Sequence, residues 1–496
     1  MKLSHLFSHR TLASDIAEID IVGISADSRK IQKGWLFVAI RGHEADGHDY
    51  IDDAMAKGAS VILAETPILN NALPLITSEN IRYEYAQICA RFWPKRPAIQ
   101  VAITGTNGKT STAEFLRQIW QKATWEAASL GTLGARTSQS GTSLDTPHLP
   151  SLGLTTPGAE DLFRVIDAVA KQSVRCLALE ASSHGIEQDR LAPLSIHVAG
   201  FTNLSRDHLD YHETMDAYFE AKSRLFTELL PDGAAAAINI DDAYGQKLAS
   251  SIKDRALVLK TIGTTAGADL QITALHATDY GFDAQFSYQG TDYQYPIALM
   301  GRFQAENALL AALLAHLSGL SAHDAFGALA SLQPIPGRMQ PVHGHPLKAR
   351  ILVDYAHTPD ALGNALCLLR QEIEGKLIVL FGCGGDRDKG KRPQMADKAR
   401  EWADVIYVTD DNPRSETPAD IRADIIGDNR ERIIEICNRK AAIQTAIDTL
   451  GEGDCLLIAG KGHETTQTIG HETLPFDDAA VARAALAFLP PMGGHA

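Results

Sequence analysis

Through the middle of the chain, apolar positions come in short unbroken runs: "IQVAITG", "VRCLALEAS", "HVAGFTN" and "AAAAINI". Runs of this length, bounded by polar residues or glycine, predict strands buried on both faces. Between them apolar residues return every three or four positions. From Thr110 to Lys122, for example, Phe115, Leu116 and Ile119 share one face, the spacing of an amphipathic helix. The last third repeats the alternation with "RILVDYA", "KLIVLFG", "DVIYVTD" and "CLLIAG". Strands alternating with helices predict an α/β fold built on parallel, doubly wound sheets, whose ligands gather at the carboxyl ends of the strands. Two proline clusters, Pro94 with Pro97 and Pro334 with Pro336 and Pro341, break helices and ladders alike and predict joints. They divide the chain into 1–96, 97–336 and 337–496. No internal repeat is visible, and the final "PPMGGHA" is expected to be disordered.

Composition changes this picture little. With 496 residues, 45% of them apolar and 22% charged, the chain can fill several cores. A net charge of −15 argues against a nucleic-acid partner held through its phosphates. It also leaves any anionic substrate to local clusters of Lys and Arg. The six cysteines are scattered without a C-x-x-C pair, which predicts neither a disulfide framework nor a zinc site. The opening "MKLSHLFSHRTLASD" lacks an apolar signal core, and no run of about 18 apolar residues occurs. A soluble, cytoplasmic protein with no membrane partner is expected, acting as a monomer.

Chemistry enters at "VAITGTNGKTST", Val101 to Thr112. It reads as strand, glycine loop and helix, an arrangement that points backbone N–H groups at an anion. The usual phosphate loop is G-x-x-x-x-G-K-[ST]; here it starts at Gly105 and is shorter, Gly105-Thr106-Asn107-Gly108-Lys109-Thr110. Lys109 would reach the β- and γ-phosphates of ATP, and Thr110 or Ser111 would offer a hydroxyl to Mg²⁺. Glu180 closes the run "CLALE", where a carboxylate would face the nucleotide metal. "FTNLSRDHLDYH" holds Asp207, His208, Asp210 and His212 within six residues. Beside a phosphate loop this group is a candidate for a second metal.

Six segments in order, "GTNGKTS", "EASSHG", "SRDHLDYH", "GRFQAENALLAA", "PGRMQ" and "DYAHTPD", resemble the Mur ligases. These are ATP-dependent amide-bond-forming enzymes of bacterial cell-wall synthesis that carry the same short loop. The likeness runs from about Asp27 to Glu464. It implies three α/β domains: an N-terminal UDP-sugar-binding domain, a central P-loop-type ATPase domain with a parallel sheet, and a C-terminal Rossmann-like domain. It also implies roles. Gly105, Thr106, Asn107, Gly108, Lys109, Thr110 and Ser111 would hold the ATP phosphates. Asn307, Arg338 and Asp354 would contact ATP as the third domain closes. Thr110 and Glu180 would hold one Mg²⁺ and His208 the other. Lys222 in "YFEAKSRLF" matches a lysine that similar enzymes carry as a carbamate (N6-carboxylysine), an anionic oxygen ligand for the second metal. The implied nucleotide-sugar peptide, UDP-N-acetylmuramoyl-L-alanyl-D-glutamate, would meet Ser28, His43, Glu44, Ala45, Thr155, Thr156, Ser182, Gln188 and Arg190. One departure is Leu154, where some relatives have asparagine before the paired threonines.

The segment "TDDNPRSE" follows the run "DVIYV". A bare D-N-P-R reads equally as a turn. In those Mur ligases that add meso-2,6-diaminopimelate it is the specificity motif, matched here by Asp411, Asn412, Pro413 and Arg414. Diaminopimelate differs from lysine by an extra carboxylate, which a guanidinium grips with two parallel hydrogen bonds. Arg387 in "GGDRDKGKRP", with Gly460 and Glu464 in "GKGHE", matches further contacts to this amino acid. The implied reaction transfers the γ-phosphoryl of ATP to a carboxylate, giving an acyl phosphate that an amine attacks. Its barrier is largely the approach of two anions, which Lys109, oriented N–H groups and Mg²⁺ would offset. Two alternatives stay open at this stage. A lysine-adding relative would share nearly everything but D-N-P-R, and a non-enzymatic nucleotide-binding regulator would need Lys109 but not Glu180, His208, Lys222 and Arg414 together.

Overall fold

A computed structural model describes residues 1–42, 45–67, 72–137, 154–207 and 209–489. His43, Glu44, His208 and the "PPMGGHA" tail therefore lie outside the described residues. The protein is α/β, with the strands of the described residues in three main sheets and one hairpin. The chain divides into two compact units. The first comprises Met1–Leu204, His208–Gln271 and Leu310–Ala328, and the second Ser205–Asp207, Ile272–Leu309 and Leu329–Ala496. The proline-based division is finer than this. Each main sheet draws its strands from one of the three segments that the prolines delimit.

The first sheet is fully parallel, in the order β1 (Gly23–Ser25), β2 (Trp35–Ala39), β3 (Ala59–Ala64), β4 (Leu75–Thr77). The second has ten strands: β5 (Ile99–Thr104), β6 (Ala127–Gly131), β7 (Gly134–Thr137), β8 (Cys176–Glu180), β9 (Val198–Phe201), β10 (Ala235–Asn239), β11 (Val258–Gly263), β12 (Leu270–Thr278), β13 (Gly281–Tyr288) and β14 (Thr291–Ile297). Their order is β14-β13-β12-β11-β10-β9-β5-β8-β6-β7. The neighbours β9, β5, β8 and β6 are mutually parallel, so their carboxyl ends emerge along one edge. The helix Lys109–Lys122 packs Phe115, Leu116, Ile119 and Trp120 at 0–1% exposure. That is the face its spacing predicted, with Trp120 added. The hairpin β13–β14 went unread in the sequence, although Phe282, Ala284, Phe286 and Tyr288 are buried at every second position.

The third sheet contains β15 (Gln340–Pro341), β16 (Arg350–Asp354), β17 (Leu377–Phe381), β18 (Val405–Val408), β19 (Ile433–Glu435) and β20 (Cys455–Ala459), ordered β15-β16-β20-β17-β18-β19. All pairs but β15–β16 are parallel. Leu377, Val379 and Phe381 enter one core with Leu362, Met395 and Ile421. Ile378 and Leu380 enter another with Ala442, Ile443 and Ala482. Strand residues alternating between two helix-covered cores make this the doubly wound sheet that the sequence predicts. Helices Arg439–Asp448 and Asp478–Leu486 are stapled by Arg439, whose fully buried guanidinium grips Asp478 through two bonds of 2.7 Å and donates to the Ala459 carbonyl at 2.9 Å. A short hairpin, β21 (Thr466–Ile469) with β22 (Glu472–Pro475), follows. Among the described residues no helix is long and apolar enough to cross a membrane.

Candidate active site

In the first unit, the parallel order β9-β5-β8-β6 brings four distant segments to one sheet edge: Thr202–Asn203, Gly105–Lys109, Glu180 and Gly131–Thr132. The loop after β5 places two glycines at positive φ, Gly105 at 144° and Gly108 at 85°. Gly108 is left-handed at φ 85° and caps the helix beginning at Lys109. At Gly105 a Cβ would fall 1.9 Å from Thr202 Oγ1. That hydroxyl donates to the Asn107 carbonyl at 2.6 Å, and Asn203 accepts from the N–H of Thr106 at 2.8 Å and of Asn107 at 3.1 Å. The segment that follows the neighbouring strand β9 thus braces the loop from outside. Lys109 Nζ lies over the loop, 2.9 Å from the Gly105 carbonyl and 2.8 Å from that of Thr106.

Glu180 is 3% exposed, and its carboxylate is held on several sides. Thr110 Oγ1 donates to Oε2 at 2.9 Å, the Thr132 N–H to Oε1 at 2.8 Å and Thr132 Oγ1 to Oε2 at 3.2 Å. Gly131 is required beside it, since a Cβ there would stand 2.0 Å from Oε1. A helix-terminal hydroxyl and a buried carboxylate side by side suit a hard divalent cation, so Thr110 and Glu180 fit the nucleotide Mg²⁺. Lys222, on the helix Met215–Arg224, is 1% exposed. Composition alone would make it a surface lysine. Instead its Nζ donates to the Gly105 carbonyl at 2.8 Å and lies 4.5 Å from the Tyr218 ring centroid, while Tyr218 OH meets Thr106 Oγ1 at 3.3 Å. The residue is therefore built into the wall of the phosphate loop. His212, from the Asp/His group of that sequence segment, has its ring centroid 5.0 Å from Tyr218 and 5.5 Å from His184, with Nδ1 3.6 Å from Glu187 Oε2. Among the described residues no three His, Cys, Asp or Glu side chains group as a metal cluster.

Beyond Glu180 a polar network joins most of the residues expected to hold the sugar peptide. Thr156 Oγ1 donates to the Glu180 carbonyl at 2.7 Å and accepts from the Ser182 N–H at 2.9 Å. Thr155 Oγ1 is 3.3 Å from Thr132 Oγ1. Ser182 caps the helix Ser183–Glu187, and Gln188 and Arg190 follow it. Arg190 donates to the Thr156 carbonyl at 2.5 Å and to Gln188 Oε1 at 2.7 Å. Ser28 does not join this network among the described residues. It begins a short 3-10 turn capped by Asp27, and Lys57 donates to its carbonyl at 3.2 Å. The Ala45 carbonyl accepts from the Gly42 N–H at 2.8 Å.

The second unit repeats the logic at the carboxyl ends of β16, β20, β17 and β18. Asp354 ends β16 and is partly buried; desolvation raises its carboxyl pKa, while Arg338 and the N–H groups of Met339 and Ala356 pull it back down. The Arg338 guanidinium sits 4.9 Å from the Tyr355 ring centroid, and its carbonyl accepts from Gln304 at 3.2 Å. Asn307, 7% exposed, lies one turn farther along the same helix as Gln304, Arg302–Leu317. Arg338 and Asp354 are thus together, with the helix that carries Asn307 packed against them.

Asp411 and Asn412, buried, follow β18, and Arg414 adopts a left-handed φ of 51°. Its side chain donates to the Gly385 carbonyl at 2.7 Å. A Cβ on Gly384 would lie 2.8 Å from Arg414 Nη1 and 3.7 Å from Arg387 Cγ, so both arginines flank that glycine. Gly460, left-handed at φ 106°, leads from β20 to Lys461, whose wholly buried ammonium has three acceptors: Asn412 Oδ1 at 3.2 Å, Glu464 Oε2 at 3.1 Å and the Thr466 carbonyl at 2.7 Å. Asn412 Nδ2 also donates to Glu464 Oε2, at 2.8 Å. Every diaminopimelate candidate therefore converges on these loops. Lys461, Gly131, Thr132, Thr202 and Asn203 were not singled out in the sequence; the glycines of "GTLG" and "GKG" were the available signals.

Known proteins match this chain along nearly its whole length. Residues 20–95, 103–315 and 337–462 match, in turn, the Mur ligase family catalytic domain, the Mur ligase middle domain and the Mur ligase glutamate ligase domain. A UDP-N-acetylmuramoyl-L-alanyl-D-glutamate–2,6-diaminopimelate ligase of Caulobacter vibrioides is 44% identical over 486 residues, spanning 98% of each chain. A solved structure of a ligase with that same title is 32% identical with a TM-score of 0.70, covering 98% of this chain and 99% of that one. MurF ligase from Thermotoga maritima, solved in complex with ADP, shares the fold at 19% identity and a TM-score of 0.60, covering 95% and 96%. On sequence and fold alike, the chain belongs to the Mur ligase family.

Proposed function

We propose that the chain joins meso-2,6-diaminopimelate to a carboxylate of UDP-N-acetylmuramoyl-L-alanyl-D-glutamate, using ATP and passing through an acyl phosphate, in the cytoplasmic synthesis of peptidoglycan precursors. The reading rests first on the D-N-P-R loop, whose Arg414 and Asn412 stand with Arg387 and Glu464 at the carboxyl end of a parallel sheet. The names borne by relatives with 44% and 32% identity over nearly the whole chain support it.

A carboxylate does not acylate an amine at neutral pH, because oxide is a poor leaving group; phosphorylation supplies a good one. The chain's part is to hold two anions together. The Lys109 ammonium, the N–H groups of Gly105 to Ser111 and the dipole of the helix behind them offset the repulsion between ATP and the carboxylate. Thr110 and Glu180 would hold one Mg²⁺, with His208 and carbamylated Lys222 holding a second; bound magnesium would add charge neutralisation there. Asn307, Arg338 and Asp354 would bind ATP in the second unit. Thr155, Thr156, Ser182, Gln188 and Arg190, with Ser28, His43, Glu44 and Ala45, would orient the sugar peptide. At the amine site Glu464 Oε2 takes two donors, while Oε1 has no partner among the described residues and would accept from an ammonium of the incoming amino acid. Arg414 and Arg387 would pair with the carboxylate that lysine lacks.

The test is ADP release measured with the dipeptide nucleotide, ATP and a panel of amine acceptors. A strong preference for meso-diaminopimelate over L-lysine in kcat/KM is expected, approaching the roughly 10⁴-fold that a site left with unpaired polar groups can enforce. Equal efficiency with both would defeat the assignment of the amine.

A further inference from the structure

Around Gln188 the first unit gathers more positive charge than it neutralises. Arg190 Nη2 donates to Gln188 Oε1 at 2.7 Å. Arg82, from the helix Ile81–Phe92 of the N-terminal segment, donates to the same oxygen through Nη1 at 3.4 Å and to the Arg41 carbonyl through Nη2 at 3.0 Å. Two guanidinium groups therefore converge on one neutral amide oxygen. The adjacent carboxylate, Asp189, is already taken: Arg224 Nη2 donates to it at 2.9 Å and Asn80 Nδ2 at 3.2 Å. Neither Arg82 nor Arg190 has a carboxylate within 4.0 Å among the described residues. Burial depresses the Arg190 pKa, and the neighbouring Arg82 charge depresses it further.

Two like charges held together without a counterion are unfavourable in the free protein, and an oxyanion between them relieves both. The turn that presents them is fixed independently. Asp189 is left-handed at φ 55°, and Arg224 also donates to the carbonyls of Ile186 and Glu187. The pair is thus preorganised rather than folded around its ligand. Arg82 carries none of the sequence signals that marked Arg190, since it lies 106 residues from Gln188 along the chain.

We propose that Arg82 is a second guanidinium of the sugar-peptide site, which with Arg190 takes one oxyanion of that substrate, a carboxylate of the peptide or a phosphate of the diphosphate link. The inference rests on the ligase reading above and adds a binding residue to it. Initial rates of ADP release are measured with the full-length wild type, Arg82→Gln and Arg82→Lys, varying UDP-N-acetylmuramoyl-L-alanyl-D-glutamate. A charge-assisted contact of this kind supports a rise in KM for that nucleotide of about 10- to 100-fold in Arg82→Gln. The KM for ATP and the kcat should change little, and Arg82→Lys should recover part of the loss. Thermal unfolding of each variant is followed alongside, and should Arg82→Gln fold poorly, the lysine variant decides by a smaller rise in the same KM. Two further arms locate the oxyanion. With a substrate whose free glutamyl carboxylate away from the joining end is amidated, the effect of the variant disappears if that carboxylate is the ligand. Inhibition by UDP alone weakens in the variant if a phosphate is. An unchanged KM in both variants overturns the inference while leaving the ligase reading intact. A wild type that neither turns over nor binds this nucleotide overturns the ligase reading, and this inference with it.

Discussion

Lys222 shows what a single side chain does here. A lysine 1% exposed beside a phosphate loop has its ammonium 2.8 Å from the Gly105 carbonyl, where any charge it carries acts directly on bound anion or metal. As a cation it would repel magnesium; as the carbamate that the family resemblance implies, it would become an oxygen ligand. Lys222→Ala should therefore abolish turnover, and short carboxylates added at high concentration should partly restore it. Wild-type activity in that variant, or rescue by amines instead of carboxylates, would remove the role. The residue also marks how far reading at this scale reaches in sequence. Gly105 to Ser111 declare themselves, because phosphate chemistry needs contiguous residues. Lys222 was found only through resemblance, and Thr132 not at all. Its bonds to Glu180 join residues 48 positions apart, a pairing no local pattern carries.

Among elements, the loops after β17 and β18 are the clearest case of one part positioning another. Arg392, fully buried on the helix Lys391–Trp402, grips Glu416 through bonds of 2.9 and 3.1 Å and Asp424 at 2.8 Å. Glu416 also accepts from the Asp386 N–H at 2.7 Å, and Asp386 in turn holds Ser415. The segment carrying Arg387 is thereby clamped to the segment carrying Arg414. The Arg392 guanidinium, more than any other group, holds the Glu416 carboxyl down at about 2. A depressed carboxyl pKa contributes stability above its unfolded value, near 4.3, and that contribution is lost as pH falls towards 2. Wild type should therefore exceed Glu416→Gln in thermal midpoint at neutral pH, and the gap should narrow between about pH 4 and pH 2. Parallel midpoint curves across that range would contradict the clamp. Strand and helix runs were legible here because burial on both sheet faces writes continuous apolar stretches. The clamp was not, since "RSE" looks like any polar turn.

For the whole molecule, the sequence yields α/β architecture, parallel sheets and the order of the motifs. It leaves unread the hairpin extension β13–β14, whose alternating pattern was present, and the grouping of the chain into two compact units, which depends on contacts between segments far apart. The same parallel topology explains why scattered motifs come together: the ten-stranded and six-stranded sheets each bring candidate site residues to the carboxyl ends of adjacent strands. What the molecule is proposed to do with them is to activate one carboxylate by phosphorylation before an amine takes it. Phosphate release from a substrate whose glutamyl carboxylate carries heavy oxygen tests this most directly. With ATP, magnesium and meso-diaminopimelate present, one heavy oxygen should appear in the inorganic phosphate for each peptide bond formed. Peptide bonds formed with no heavy oxygen in the phosphate would contradict the acyl-phosphate route.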